Sequence, residues 1–455
     1  MGNPHVLVIP YPVQGHVIPF MELSKCLVKQ GIKTTFVNTE ENHKRVMDAL
    51  AAKDGIEKQI NLVSIPDGME SLEVRDHLEK HAESVFWFMP KKVEELIDQI
   101  NASESDKITC VLADHIFGWA MEIAAEKGIR KRASFCAYAA IQSVLMSCIQ
   151  KMVDDGIIDN DGTPTKKQMF QLSPTSPPMN TAHFGWIGVG SLKVQKMLFE
   201  NMVRNKRLEA LTEWLLCNST YDLEPVAISM DTRILPVGPL LASNRLGDSA
   251  VNFLPEDITC LKWLDQQPPQ SVIYVAFGST AIFDHTQFQE LATGLELSNR
   301  PFLWVVRPDF TDEISYAYLK AFQDRTATRS HIVSWAPQQK VLAHSSVACF
   351  ISHCGWNSTM EGVSNGIPFL CWPYFSDQFH NETYICKVWK VGLGFTRDDR
   401  RIINHEEIKF KLDQLLDNEE YKARALSLKE LVMHSIKEGG GSYKNFKNFI
   451  QWIKA

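Results

Sequence analysis

Trp335 to Gln378 reads WAPQQKVLAHSSVACFISHCGWNSTMEGVSNGIPFLCWPYFSDQ. Its centre is an apolar strand-like run, Ala348 to Ser352, that meets His353-Cys354-Gly355-Trp356-Asn357-Ser358, with a helix expected to begin near Trp356. A strand that passes through a glycine turn into a helix is the building unit of a parallel α/β sheet. The start of such a helix offers backbone N–H groups and the positive end of a dipole, which favour a phosphate. Gly355 lets the backbone approach a ligand closely, and His353, Asn357 and Ser358 add side-chain donors. Glu361 lies four residues after Asn357, one turn further along the same helix face. A carboxylate there can accept from two ribose hydroxyls. Trp335 closes the preceding strand and offers an indole to a flat base. Asp377 and Gln378 follow another strand end and suit a polyol. In an open α/β sheet these strand ends face one crevice. Each residue alone is more simply a helix cap or core; jointly they offer partners for a phosphate, a ribose, a flat base and a polyol.

Outward from this stretch the alternation continues. Strands are expected at Ser271 to Phe277, Phe302 to Val306, His331 to Ser334 and Phe369 to Trp372, with Gly278-Ser279 at a helix start. The first half opens with a strand, His5 to Pro10, a turn containing Pro12 and Gly15, and a helix carrying Phe20, Leu23 and Leu27 that Gly31 stops. Lys33 to Asn38 and Ile108 to Ala113 read as further strands, the latter ending at Asp114. Both halves therefore read as parallel sheets covered by helices. The segment Gly156 to Trp186, rich in Pro, Ser, Thr and Gly, is expected to form long loops. Periodicity lapses around Val237-Gly238-Pro239-Leu240 and on to Pro255. The division expected is residues 1–240, a linker at 241–258, a second domain at 259–438, and a last helix at 439–455 carrying Tyr443, Phe446, Ile450 and Ile453 back onto the body.

Composition agrees and excludes several classes. A chain of 455 residues is long for one core, so two domains are the natural expectation. Hydrophobic residues make up 45% and charged ones 22%, as in a globular protein that needs no lipid. The net charge is −7 and no basic stripe stands out, which argues against a nucleic-acid partner. No apolar stretch approaches the ~20 residues of a membrane span. The N-terminal residues read as a first strand, not a signal peptide. The ten cysteines contain no CxxC pair, so no zinc or redox motif is expected. Reduced thiols and a cytoplasmic location are expected.

A second constellation is His16 with Asp114. His16 closes the loop after the first strand, and an imidazole with a pKa near ~6.5 suits a general base. Asp114 ends another strand of the same expected sheet, so the two can meet, and a carboxylate on Nδ1 would fix the tautomer. A cap or a solvated loop residue is the commoner role for either alone. Other motifs fail. Asp159-Asn160-Asp161 has the DxD pattern of a metal site but sits in an Asx-rich turn. An EF-hand would need an acid at Ile157. Gly188-Val189-Gly190 and Gly392-Leu393-Gly394 lack the third glycine of a dinucleotide fingerprint. Gly439-Gly440-Gly441 reads as a hinge. The aromatic run Ser84 to Pro90 reads first as core.

Taken together, Trp335, Ala336, Pro337, Gln338, His344, His353 to Ser358, Glu361, Gly366, Pro368, Pro373, Asp377 and Gln378 resemble the signature of the plant family 1 UDP-glycosyltransferases. Pro12 to Pro19 (PxxGHxxP) and the stretch from Asp114 to Trp119-Ala120 resemble that family's catalytic elements. The resemblance implies a GT-B fold, two Rossmann-like domains facing a central cleft. It implies that Trp335 and Ala336 hold uracil, Gln338 and Glu361 the ribose, and Ser279, His353, Gly355, Asn357 and Ser358 the diphosphate, while Trp356, Asp377 and Gln378 contact the sugar. A final Gln in the family goes with glucose donors. It further implies an inverting transfer of glucose from UDP-glucose to a hydroxyl of a small lipophilic acceptor, with His16 as base and Asp114 orienting it. No metal or cofactor is expected beyond the UDP-sugar co-substrate, and a monomer is expected. The acceptor pocket is expected to draw on Phe86, Phe88, Trp119 and Phe184. A phenol or flavonoid is favoured by analogy; terpenoid, hormone and carboxylate acceptors stay open, as does transfer to nitrogen or sulfur. CAYAA, after Phe135, lacks a hydroxyl-bearing residue that some relatives use on the sugar. A non-catalytic binder of a small ligand and a dinucleotide-dependent oxidoreductase are the rival readings.

Overall fold

The computed structural model describes residues 4–51, 59–69, 78–103, 106–240, 255–308 and 313–455. Two parallel sheets organise them. The first contains β1 (His5–Ile9), β2 (Lys33–Thr39), β3 (Asn61–Ile65), β4 (Cys110–Asp114) and β5 (Lys131–Cys136). After a short hairpin of β6 (Met169–Phe170) and β7 (Met179–Asn180), it gains β8 (Trp214–Cys217) and β9 (Ile234–Pro236). The strand order is β3-β2-β1-β4-β5-β8-β9, and the neighbours pair in parallel. The second sheet runs β12 (Ser330–Val333), β11 (Phe302–Val305), β10 (Val272–Ala276), β13 (Val347–Ser352), β14 (Phe369–Cys371) and β15 (Gly392–Gly394), again parallel throughout.

The central strands are buried on both faces: β1, β4, β10 and β13 have no exposed residue. This is why they read as continuous apolar runs without alternation. The order reverses at β1/β4 in one sheet and at β10/β13 in the other. Such switch points leave a crevice at the C-terminal strand ends, where ligands bind. Every candidate catalytic or diphosphate residue follows one of these four strands.

The chain divides into two compact units: Met1–Phe253 with Phe375–Asp377 and His434–Ala455, and Leu254–Tyr374 with Gln378–Met433. The expected linker, 241–258, falls largely outside the described residues. The last helix, Gly441–Lys454, belongs to the first unit. Its Phe449, Ile450 and Ile453 enter that unit's core beside Trp214. Each such fully buried side chain contributes about 1.5–3 kcal/mol. Asn445 Nδ2 donates to the Pro236 carbonyl at 2.9 Å, and Lys131 Nζ to that of Ile453 at 2.8 Å.

One detail departs from the sequence reading. Gly278 and Ser279 do not start a helix: Gly278 is in a turn at φ +69°, and the helix begins later, at His285–Leu297. Its cap is Asp284, which accepts from Gln287 N at 2.8 Å. The carboxylate side chain wins over the glycine because it can satisfy an orphan N–H. The Gly156–Trp186 segment is an ordered loop that folds back on itself, with the fully buried Trp186 donating to the Gly162 carbonyl at 2.7 Å. The DxD-like turn is held by Asp159 Oδ1, which accepts from Asp161 N and Thr163 N at 2.9 Å each, while Asp161 pairs with Lys196. Among the described residues no helix is long and apolar enough to cross a membrane.

Candidate active site

In the second unit β13 delivers His353 into a tight turn. Cys354 takes the left-handed conformation, φ +64°, uncommon for a residue with a side chain and a mark of functional strain. It is held by its own N–H to Ser352 Oγ at 3.0 Å and by Asn381 Nδ2, which donates to its carbonyl at 2.9 Å. The helix Trp356–Asn365 then starts on Gly355 with no side-chain cap. Glycine is required there: a Cβ would stand 2.4 Å from His353 Nε2, and one on Gly278 2.6 Å from the same atom. The imidazole edge therefore lies against two glycine turns, one after β10 and one after β13.

Arg307, just past β11, sits behind this edge. Its side chain is buried and donates to the Gly278 carbonyl and, at 3.0 Å, to that of Ala281. Burial, joined by the Arg307 charge, pulls the His353 pKa down to about 4 against a smaller upward effect from the Ala276 backbone. His353 is thus a neutral imidazole, a single N–H donor with no charge of its own near pH 7.

A second network lies beside it. Gln338 Nε2 donates to Ser358 Oγ at 2.8 Å and to Glu361 Oε2 at 2.6 Å, while its Oε1 accepts from Tyr274 OH at 3.1 Å. Ser358 Oγ already accepts, so its proton is left to donate. Trp335 and Ala336 are nearly buried, and the Trp335 carbonyl accepts from Asp257 N at 2.9 Å. The Trp356 ring packs toward Trp389, 6.3 Å between centroids. Gln378 is buried, its Oε1 accepting from Tyr374 N at 2.8 Å, which aims the side chain by the backbone itself. Ser279 is exposed on the Gly278 turn, and Asp377 lies in the short segment grouped with the first unit. Tyr274 and Arg307 are absent from the sequence reading. Both sit in or beside strands, where no motif spacing marks them.

In the first unit His16 occupies the first turn of the helix Gln14–Lys29, after β1, and Asp114 ends β4. The two strands are neighbours, Ile9 opposite Ala113, and this register brings His16 Nδ1 to 2.6 Å from Asp114 Oδ2. Asp114 is fully buried and also accepts from Tyr11 N at 3.3 Å and Ile116 N at 3.1 Å. With Nδ1–H given to the carboxylate, Nε2 is the basic nitrogen. Burial works to lower the His16 pKa, but Asp114, with a smaller contribution from Asp377, carries it above the ordinary histidine value. The Tyr11 and Tyr138 rings stand 5.3 and 6.1 Å from the imidazole.

The four aromatic residues expected around the acceptor separate. Phe86 and Trp119 are buried in one core cluster. Phe184 is buried against Trp186 and Phe170. Phe88 is exposed, its ring beside Gly68. Among the described residues, the aromatic rings beside His16 are those of Tyr11 and Tyr138.

With this geometry in place, similarity decides the family. Residues 250–435 match the family model described as UDP-glucoronosyl and UDP-glucosyl transferase. UDP-glycosyltransferase 83A1 of Arabidopsis thaliana is 48% identical, over 100% of this chain and 98% of that protein. The chain belongs to the plant family 1 UDP-glycosyltransferases. Linamarin synthase 1 of Manihot esculenta is 32% identical over 99% of this glycosyltransferase and 97% of its own length. A solved structure of a UDP-glucosyltransferase from Polygonum tinctorium superposes with a TM-score of 0.82 over 100% of both chains, at 25% identity. The two parallel sheets are those of the GT-B fold, and this enzyme is a UDP-glycosyltransferase of small acceptors.

Proposed function

We propose that this glycosyltransferase moves glucose from UDP-glucose to a hydroxyl of a small lipophilic acceptor, with inversion and without a metal ion. The observation that carries the reading is the 2.6 Å contact between His16 Nδ1 and the fully buried Asp114 carboxylate. It leaves Nε2 as a base on a partly exposed imidazole. Nε2 takes the proton of the acceptor hydroxyl, the oxygen attacks the anomeric carbon, and UDP departs from the opposite face. An α-linked donor gives a β-glucoside. Asp114 stabilises the imidazolium that forms.

The negative charge that develops on UDP is met by donors already in place: the neutral His353 N–H, the uncapped helix start at Gly355 to Ser358, the Ser358 hydroxyl and Ser279. Preorganised donors of this kind are a major source of rate enhancement. Gln338 and Glu361, locked together at 2.6 Å, take the ribose; Trp335 and Ala336 take the base. Trp356, Asp377 and the backbone-anchored Gln378 take the sugar, and Gln378 supports glucose.

The acceptor proposed is a phenol or flavonoid. A flavonol 3-O-glucosyltransferase of Arabidopsis thaliana, 29% identical, supports it. Transfer to nitrogen is the second reading, because the Polygonum tinctorium enzyme, described as glucosylating indoxyl, was solved with 3,4-dichloroaniline. The deciding experiment offers UDP-glucose with 4-nitrophenol, 2-naphthol, quercetin and 3,4-dichloroaniline. Product mass and anomeric configuration are read by mass spectrometry and NMR. β-O-glucosides are expected; an α-product would overturn the single displacement, an N-glucoside alone would favour the second reading, and no UDP release with any acceptor would overturn the phenolic assignment.

A further inference from the structure

Beside the His16–Asp114 pair lies a second set of buried polar groups that takes no part in the proton transfer. His115 extends the β4–β5 pairing by one residue, its N–H donating to the Phe135 carbonyl at 3.1 Å. Its Nδ1 is 2.7 Å from the Tyr138 hydroxyl, and its Nε2 is 3.5 Å from Glu209 Oε1. Glu209, whose side chain is 8% exposed, also meets Lys206 Nζ at 2.7 Å and Arg233 Nη2 at 2.9 Å. Burial opposes both charges. Even so, His115 and Lys206 hold the Glu209 carboxyl down to about 2, and the Cys136 sulfur with Glu209 carries His115 above its ordinary value.

A chain of contacts thus runs inward from two surface cations through Glu209 and His115 to Tyr138. It stops at a ring beside the base. A buried ion pair adds little net stability over apolar filling of the same volume, and fixing geometry is its better-supported use. The strand order explains the convergence: β1, β4 and β5 are neighbours, and their C-terminal ends carry His16, Asp114 with His115, and Tyr138.

We propose, on the premise that His16 is the base, that His115 is a positioning residue acting through Tyr138. The His115 imidazole, with the Glu209 carboxylate 3.5 Å from its Nε2, holds the phenol oxygen, and the tethered ring becomes a fixed wall of the space in which an acceptor hydroxyl reaches His16. Tyr138 then serves the acceptor through its ring, since its oxygen is engaged by His115. A wall of this kind suits a flat, apolar acceptor skeleton.

The test is a double-mutant cycle on the full chain with the phenol of the panel above that the wild-type enzyme turns over fastest. Tyr138→Phe keeps the ring and removes the tether. It is expected to raise the acceptor KM about tenfold, with kcat within about threefold and UDP-glucose affinity unchanged. His115→Phe is expected to do the same, and the double variant to be no worse than either, because both cut one linkage. If His115→Phe does not fold, Glu209→Gln replaces it in the cycle, with a smaller shift of the same sign. An unchanged acceptor KM in Tyr138→Phe, or single effects that multiply in the double variant, overturns the inference. His16→Ala separates the premise: wild-type turnover there sinks the base assignment, whereas its loss beside an unmoved KM in Tyr138→Phe sinks the positioning role alone.

Discussion

The two histidines at the heart of this enzyme follow equivalent strands and are pushed in opposite directions. His16 follows β1, next to the switch point of the first sheet, and Asp114 raises its pKa. His353 follows β13, at the switch point of the second, and burial together with Arg307 lowers its pKa to about 4. Neither strand distinguishes them; the neighbour does. One site has a carboxylate on the ring nitrogen, which suits the base proposed above. The other has a guanidinium behind the loop, which suits the neutral donor proposed above. Divergent pKa values of like groups are a recurring way to divide the labour of catalysis.

The largest effect should come from His16→Ala. Turnover is expected to fall roughly 10²- to 10⁴-fold, while calorimetry shows UDP-glucose affinity within about twofold of wild type. Retained turnover breaks the contrast at once. Asp114→Asn comes next, with a loss of about 10- to 100-fold in kcat/KM. Its sharper readout is the pH profile. A base works only when deprotonated, so wild-type kcat/KM should rise with pH through a value above the ordinary histidine pKa. Removing the carboxylate should move that limb to lower pH, and an unmoved limb means that another group titrates.

Gly355→Ala addresses the other histidine. The added methyl would press on His353 Nε2 from 2.4 Å, and UDP-glucose affinity is expected to fall about tenfold, roughly 1.4 kcal/mol. Gly15→Ala is the control beside His16. A Cβ there meets nothing within 4 Å, and turnover and melting should stay near wild type, within about 0.5 kcal/mol. The smallest signal expected is none. UDP-glucose binding should show no titration assignable to His353 between about pH 5.5 and 8, because its pKa lies near 4. A histidine-like titration in that range, abolished by His353→Ala, would show that the donor histidine is charged after all.

The local parts of this arrangement were legible in the sequence. The β13 run, the glycine turn and the helix at Trp356 are consecutive, so composition and periodicity locate them within a residue or so. The His16–Asp114 contact was legible because His16 lies just beyond one strand and Asp114 ends its neighbour in the same parallel sheet, and neighbouring strand ends converge. What depends on the order of strands across a sheet was hidden. Arg307 and Tyr274 reach the site from β11 and β10, and no spacing announces which loop a strand-end side chain will brace. Ser279 was placed at a helix start because a glycine-serine pair after a strand imitates a phosphate loop. Asp284 caps the helix instead, six residues after Gly278. Phe86, Trp119 and Phe184 show the same limit from the other side: aromatic character marks burial, and spacing alone does not tell a pocket wall from core.

The return of the last helix to the first unit has a practical side. The chain leaves that unit, builds the whole second sheet, and comes back to finish what it began: Phe449, Ile450 and Ile453 fill a core that β1, β4 and β5 help to form. The first unit is therefore discontinuous in sequence, drawing on Met1–Phe253, Phe375–Asp377 and His434–Ala455. Anyone exchanging the first unit between two such enzymes must transplant its N-terminal segment and the last helix together. A crossover placed only at the midpoint would join one parent's sheet to the other parent's closing helix.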